Sequence, residues 1–227
     1  MRHTSRALAA VGAVAALALT GCAGGSSQSG QSGQSGSASE LALSDLNIQP
    51  RDALQQGGDL RLTITSMPTN WNYLQQEGTS VDLNRINGFI EPANLIYNAD
   101  GTYEPNPEYI EKIDAQDPAD GKGQVITLTL NPDSKWNSGR AIDWEDYQSN
   151  WKACNGEDAD FYCGSTDGWN QISSIEKGDE DNQVVITFKS SYPDWSGVVS
   201  GVFPKEAMAD AKTFNEGWKD YNNDWGA

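Results

Sequence analysis

Histidine and cysteine, which often act as bases, thiolate nucleophiles or soft metal ligands, are scarce in this chain of 227 residues. Its single histidine, His3, lies at the extreme start, so a Ser-His-Asp or Cys-His arrangement is not available to the rest of the chain. The sequence has no Gly-Lys-Ser/Thr phosphate loop and no dinucleotide fingerprint. Acidic turns such as Asp100-Gly101 lack the spacing and terminal glutamate of a calcium loop. We therefore predict no enzyme activity, no metal and no cofactor. Paired carboxylates for glycoside hydrolysis stay an open alternative, because Asp and Glu are plentiful.

Cys22 is the most informative of the three cysteines. A basic start at residues 1–6 precedes an apolar stretch of thirteen residues, 7–19, which is long enough for a signal peptide and too short to span a bilayer. Leu19-Thr20-Gly21 then leads into Cys22, and this arrangement resembles the lipobox of bacterial lipoproteins. The resemblance implies that residues 1–21 are a lipoprotein signal peptide and that the Cys22 thiol carries a diacylglycerol. The alternative is an ordinary secretory signal with an incidental cysteine.

Residues 22–56 have the composition of a flexible tether followed by a polar lead-in. Gly, Ser, Gln and Ala dominate residues 23–39, and Gln-Ser-Gly recurs within residues 28–36. Such a segment cannot bury enough apolar surface to offset the entropy of ordering. We expect the lipid on Cys22 to hold the folded body at the outer face of the bacterial cytoplasmic membrane. The sequence beyond the tether offers no stretch apolar enough to span a bilayer.

Cys154 and Cys163 lie close together on either side of a polar stretch. Outside the cell, a nearby pair of cysteines forms a disulfide by default, and this is our prediction. A metal site is the alternative, but two cysteines do not complete a zinc site when the mature chain has no histidine.

The charge balance narrows the choice of partners. The chain has 15 basic and 32 acidic residues and a formal net charge of −17. Nucleic acids and anionic membrane surfaces both attract basic stripes, so we predict no nucleic-acid partner and no adhesion of the folded body to the bilayer.

The pattern of apolar and polar residues indicates an α+β fold with more strand than helix. Residues 125–130 are the clearest strand, and residues 173–188 give a strand, a turn and a second strand. Asp143 is a good N-cap for a helix that ends at about residue 151 or 153. Further predicted elements are a strand at 59–65, a helical period over 82–95, a hairpin with Asp100-Gly101 at its turn, a helical turn at 108–113, and a tail from 214 to 227 without a closing element.

The order of these elements resembles the extracytoplasmic solute-binding proteins of ABC importers, in the oligopeptide/dipeptide/nickel-binding family (family 5). The resemblance covers residues 57–205, and the ordered set is more specific than any single motif. Its four stretches are the Gly-Gly and strand of 57–62, the Asp-Gly segment of 97–105, the strand, turn and helix start of 125–146, and the strand and loop of 183–193.

This resemblance implies a type II, two-lobed binding protein that closes over its ligand and presents it to a membrane permease coupled to an ATPase. Residues 57–227 correspond to the N-terminal lobe, with mixed sheets and peripheral helices. The family continues into a second lobe, so the chain looks like an N-terminal portion. In the family that lobe supplies much of the ligand clamp, which implies that this chain alone binds ligand weakly or not at all. The implied ligand is a peptide or a similar small solute.

Two loops that follow strands combine aromatic and polar side chains, as a ligand site requires. The first contains Asn70, Trp71 and Asn72, and the second contains Tyr192, Asp194 and Trp195. For each loop the alternative is a purely structural role, with core aromatic residues and turn-forming polar ones. Two other functions stay open, namely a lipid-anchored carbohydrate-binding module or glycoside hydrolase at the cell surface, and a structural lipoprotein of the envelope.

Overall fold

The computed structural model describes residues 49–117 and 123–227, so the predicted signal peptide, Cys22 and most of the tether lie outside the described residues. Short 3-10 turns occur at Arg51–Ala53, Trp169–Gln171, Lys205–Met208 and Asn223–Trp225. In chain order the helices and strands are α1 (Val81–Asn87), β1 (Leu95–Tyr97), β2 (Tyr103–Pro105), β3 (Ile110–Gln116), β4 (Val125–Leu130), α2 (Trp144–Cys154), β5 (Ile172–Lys177), β6 (Gln183–Phe188), α3 (Trp195–Val198) and α4 (Ala211–Glu216).

A four-stranded antiparallel sheet with the order β3-β4-β6-β5 organises the main core. In β4 and β6 half-buried and buried residues alternate, because successive side chains of a strand point to opposite faces. Helix α2 packs against β5 on the buried face. The largest fully buried side chains of this core are Ile110, Ile126, Leu128, Leu130, Trp136, Ile172, Ile175, Ile186 and Phe188.

Several predicted elements are confirmed. Strand β4 has the predicted bounds, and β5 and β6 pair as neighbouring antiparallel strands. Strands β1 and β2 form the hairpin at Asp100-Gly101, where a φ of 86° at Gly101 suits a residue without a Cβ. Asp143 begins α2 through a capping box, because its side chain accepts from the Glu145 and Asp146 amides while the Asp146 side chain accepts from the Asp143 amide.

The predicted strand at 59–65 is wrong. The segment forms neither strand nor helix and has no partner strand in the described part of the chain, and Leu60 and Leu62 are 72% and 53% exposed. Its alternation of polar and apolar residues meets the side-chain requirement of a strand. The backbone amides and carbonyls still need a neighbouring strand to pair with, and alternation does not supply one.

Two further predictions need correction between residues 82 and 116. The helical period expected over 82–95 yields only α1, which ends at Asn87 with Gly88 as its C-cap. The helical turn expected at 108–113 is instead the start of β3, where Ile110 lies opposite Leu130. Pairing with β4 decides this segment, since tertiary context overrides weak local preference.

A second, aromatic core lies beside the first, and the tail helps to build it. Residues 211–227 contain α4 and a 3-10 turn, so the expectation of a tail without a closing element is wrong. A disulfide joins Cys154 at the end of α2 to Cys163, with Cα atoms 5.5 Å apart. The buried members of this core are Ala153, Cys154, Phe203, Ala207, Met208, Phe214 and Trp218.

Candidate functional site

A cavity of about 340 Å³ lies between the α1 region and the chain that follows α3. Such a volume is at the lower end of the range for small-molecule pockets, which are commonly apolar with a few polar groups. Its mainly apolar wall includes Leu74, Trp169, Val198, Val202 and Phe203, and its polar groups include Asn84, Asn87, Glu91, Asn150 and Ser200.

Asn87 and Glu91 are the chemically distinctive residues of this cavity. Ser80 caps α1 by accepting from the Leu83 amide at 3.1 Å, which sets the helix that ends at Asn87. The chain turns there, and the Glu91 amide donates to the Asn87 carbonyl at 2.9 Å. This turn brings both side chains to the same cavity.

Neither side chain has its polar atoms satisfied by the described residues. Asn87 is only 7% exposed, and its side-chain atoms Nδ2 and Oδ1 both lack a hydrogen-bond partner among the described residues. The same holds for both carboxyl oxygens of Glu91, which are also buried. Burial raises the pKa of Glu91 to about 9, because a charged carboxylate loses its hydration. The acid is therefore neutral at pH 7.

Two tyrosines lie within electrostatic reach of Glu91. Burial raises the pKa of Tyr109, and the nearby charges of Glu108 and Glu91 raise it further. Burial also raises the pKa of Tyr221, again with a contribution from Glu91. Both phenols therefore stay neutral in the pH range in which Glu91 titrates, and they add no charge near its carboxyl group.

Two buried asparagines hold the cavity walls in place. Asn150 of α2 donates to the Phe203 carbonyl at 2.8 Å and accepts from the Phe203 amide at 3.1 Å. Asn94 donates to the Val199 carbonyl at 2.8 Å and accepts from the Tyr147 hydroxyl at 3.1 Å. These bonds fix the segment that follows α3, so this part of the cavity wall is preorganised.

The first loop predicted from the sequence lies next to the cavity without lining it. Asn70 and Asn72 are fully buried, and their amides donate to the carbonyls of Asn215 at 2.9 Å and Phe214 at 3.0 Å. Trp71 is half-buried with its ring 5.2 Å from that of Tyr221. The two asparagines thus position the chain that continues into the cavity wall at Tyr73 and Leu74. A ligand contact by any of the three stays a prediction.

The second predicted loop leads into the opposite wall. Tyr192 stacks on Phe188 with ring centres 5.4 Å apart, and Trp195 is 8% exposed with its ring meeting Tyr103 edge-on. Asp194 is exposed. The chain then continues to Gly197 and Val198, which line the cavity. The structure therefore brings the continuations of both loops together, while a ligand role for Tyr192, Asp194 and Trp195 stays a prediction.

Sequence reasoning missed Asn87 and Glu91. The available signal was weak: Glu91 is an acid between Ile90 and Pro92, in a stretch that is otherwise mostly apolar. An acid in such a stretch is worth testing as a buried group, because acids are rarely buried without a partner.

Comparison with known proteins identifies the family. The sequence model described as bacterial extracellular solute-binding proteins, family 5 middle region, matches residues 104–225. The chain belongs to the family 5 solute-binding proteins. Oligopeptide-binding proteins OppA of Mycobacterium bovis and Mycobacterium tuberculosis are 33% identical over 180 residues, which is 78% of this chain. This family 5 chain spans only 30% of the length of these relatives.

Solved structures agree on the fold of this family 5 chain. The periplasmic EDTA-binding protein EppA superposes with a TM-score of 0.59 at 21% identity, over 65% of this chain and 28% of EppA. NikZ from Campylobacter jejuni, in complex with Ni(L-His), gives a TM-score of 0.50 at 18% identity, over 64% of this chain and 27% of NikZ. The predicted fold class, part of the N-terminal lobe of a type II binding protein with an α+β pattern, is confirmed.

In residues 49–117 and 123–227, every helix is too short or too polar to cross a bilayer. The same residues contain no group of three or more His, Cys, Asp or Glu side chains placed to hold a metal ion.

Proposed function

We propose that this chain is part of the lipid-anchored substrate-binding component of an ABC importer, and that residues 57–227 form its N-terminal lobe. It captures a peptide or a similar small solute outside the cytoplasmic membrane and delivers it to the permease and ATPase subunits. It does so by binding and release, without catalysis. The diacylglycerol on Cys22 holds the protein at the membrane surface.

The observation that carries this proposal is the preorganised cavity with unpartnered polar groups. Family membership supports it, because the family consists of extracellular solute-binding proteins. The relatives that are 33% identical are named oligopeptide-binding proteins, and this favours a peptide over other solutes. In the family fold, closure of two lobes over a ligand is driven by the tighter binding of the ligand to the closed state.

A ligand panel with the purified 227-residue chain tests the proposal. Thermal unfolding is measured alone and with amino acids, peptides of two to about five residues, and soluble oligosaccharides, since a ligand that binds only the folded state raises its melting temperature. We expect peptides to raise the melting temperature at millimolar concentrations and oligosaccharides to leave it unchanged. Stabilisation by oligosaccharides alone would overturn the proposal in favour of a carbohydrate-binding module.

Expression of the full chain in a bacterium supplied with labelled palmitate tests the proposed lipid anchor. We expect label on the wild-type protein and none on Cys22→Ser, with the wild type in the membrane fraction. An unlabelled wild type released into the medium would indicate an ordinary secretory signal instead.

A further inference from the structure

We propose that Glu91 and Asn87 bind the protonated primary amine of a solute whose compact apolar group occupies the cavity beside them. This inference rests on the proposed function, because it names the ligand chemistry of the same cavity. The ammonium comes either from a free amine or from the first residue of a peptide.

Asn87 and Glu91 hold buried polar atoms that have no partner in the described part of the chain. A buried amide or carboxyl group without a partner costs about 1–3 kcal/mol, and folded proteins satisfy the great majority of such groups. Asn87 and Glu91 together present four such atoms at one cavity. A ligand that supplies hydrogen-bond donors at this place recovers that cost on binding.

The types of these groups indicate which donor fits. An ionised carboxylate only accepts hydrogen bonds, and the amide oxygen of Asn87 is a further acceptor. An ammonium group has three donors and a full positive charge, so it suits a cavity with several acceptors, and charge-assisted bonds are the stronger kind. A hard metal ion fits less well, because Ca²⁺ needs six to eight oxygen ligands and Glu91 is the one acid among the described residues that line the cavity.

The walls indicate the rest of the ligand. Leu74, Trp169, Val198 and Phe203 offer mainly apolar and aromatic surface at the same cavity. A volume of about 340 Å³ suits one aromatic or branched aliphatic group with its amine. An extended peptide does not fit inside as a whole, so the cavity accepts the first residue of a peptide or a small free amine.

Binding of an ammonium group changes the protonation of Glu91. The empty cavity holds the neutral acid at pH 7, so Glu91–COOH and R–NH₃⁺ give the ion pair of Glu91–COO⁻ with R–NH₃⁺, and one proton leaves to the solvent. The titratable groups near Glu91 are the phenols of Tyr109 and Tyr221, and Tyr73 lies on the cavity wall. No Lys, Arg or His is among the described residues that line it. Affinity therefore rises with pH until Glu91 itself ionises.

Calorimetry with the 227-residue chain and phenethylammonium tests the proposal directly. Glu91→Gln removes the charge with little change in shape, and Glu77→Gln is the control, since Glu77 is an exposed acid that does not line the cavity. We expect phenethylammonium to bind the wild type and the control equally, and to bind Glu91→Gln at least about tenfold more weakly. In two buffers of different ionisation enthalpy, the wild type should release about one proton per ligand at pH 7.

Neutral 2-phenylethanol separates the amine from the apolar group. We expect it to bind the wild type at least about tenfold more weakly than phenethylammonium and to bind Glu91→Gln no more weakly than the wild type. Equal affinity of phenethylammonium for the wild type and Glu91→Gln would overturn the proposal. So would the absence of proton release from the wild type, a readout that does not depend on the folding of any variant.

A pair of peptides distinguishes the two sources and the two proposals. If Phe-Ala binds the wild type and N-acetyl-Phe-Ala does not, the amine is that of a peptide and both proposals hold. If both peptides bind equally and Glu91→Gln has no effect, the ammonium site is overturned while peptide capture stands. If phenethylammonium binds through Glu91 and no peptide binds, the ammonium site stands and the proposed capture of peptides fails.

Discussion

The corner where α2 meets the 3-10 turn at Lys205–Met208 and the cavity beside α1 each bury an acidic side chain. At the corner, Asp146 is fully buried and its carboxylate accepts five hydrogen bonds. In the cavity, the oxygens of Glu91 have no partner in the described part of the chain. Asp146 accepts from Trp136 Nε1 at 3.1 Å, Arg140 Nη1 at 3.0 Å, Arg140 Nη2 at 2.6 Å, the Asp143 amide at 2.9 Å and the Lys205 amide at 2.8 Å.

This difference separates a structural acid from one that is free to meet a ligand. Burial opposes the charge of Arg140, but its hydrogen bonds to Asp146 and Glu206 outweigh burial and raise its pKa, so the guanidinium stays charged. The corner therefore compensates its buried charge internally. In the cavity, the described residues give Glu91 no such compensation, and its carboxyl group is neutral at pH 7 instead.

The largest expected effect comes from breaking the compensated corner. Asp146→Ala removes the acceptor for Trp136, Arg140 and the Lys205 amide at once. Because removing one member of a buried charged network leaves the others unpaired, we expect a loss of about 3–5 kcal/mol in the free energy of unfolding. Urea denaturation followed by tryptophan fluorescence measures it.

Asp133→Ala is the matched control, because Asp133 lies exposed in the turn after β4. We expect this variant to stay within about 0.5 kcal/mol of the wild type. A loss below about 1 kcal/mol for Asp146→Ala would remove the distinction between the two regions.

The second-largest expected effect is a pH dependence of the stability of the protein, caused by Glu91. The unfolded chain releases the Glu91 proton near its ordinary pKa of 4.5, while the folded chain holds it up to about 9. The unfolded state thus binds fewer protons in this window, so the stability that Glu91 gives is fully present below 4.5 and is lost as the pH rises through 9. The slope for this one group is about 1.4 kcal/mol per pH unit.

The Glu91→Gln variant has no titrating group at this position, so the prediction compares the pH dependence of the free energy of unfolding in two proteins. Between about pH 6 and about pH 8 we expect the wild type to lose about 3 kcal/mol more in free energy of unfolding than Glu91→Gln does. Parallel pH profiles of the two proteins would mean that Glu91 is solvated or paired in solution.

The smallest effect compares two buried asparagines of the same region. Asn72 donates to the Phe214 carbonyl at 3.0 Å and accepts from the Leu74 amide at 3.0 Å. Asn72→Leu leaves both backbone groups without a partner, and we expect it to lower the free energy of unfolding by about 1–3 kcal/mol. Asn87→Leu removes no hydrogen bond to any described residue, so we expect it to be neutral or slightly stabilising. Denaturant unfolding of both variants checks this, and equal losses would show that Asn87 has a partner in solution.

Much of the sheet could be predicted from local pattern. Residues 125–130 and 183–188 alternate regularly, and because each pairs with its neighbours the pattern and the tertiary structure agree. Asp143 was recognisable as a cap because a capping box needs only residues three positions apart. The strand at 59–65 failed because pairing is a property of two segments, and a pattern within one segment does not show its partner.

The candidate site was less predictable for a related reason. Asn87 and Glu91 become notable only when residues 197–203 fold over them, more than a hundred positions later in the chain. The sequence did indicate the loops that lead into the cavity walls, through Asn70, Asn72 and Tyr192. It did not show that the side-chain amides of the two asparagines donate hydrogen bonds to backbone carbonyls of the tail.

The bonds from Asn70 and Asn72 to the tail span 145 and 142 positions of sequence. Contacts of such separation close late in folding, because a long loop must be ordered before they form. During translation the hairpins of the sheet can assemble early, whereas this part of the pocket wall has to wait for residues 214 and 215. A nascent chain stalled before that point would carry a formed sheet and an unfinished binding pocket.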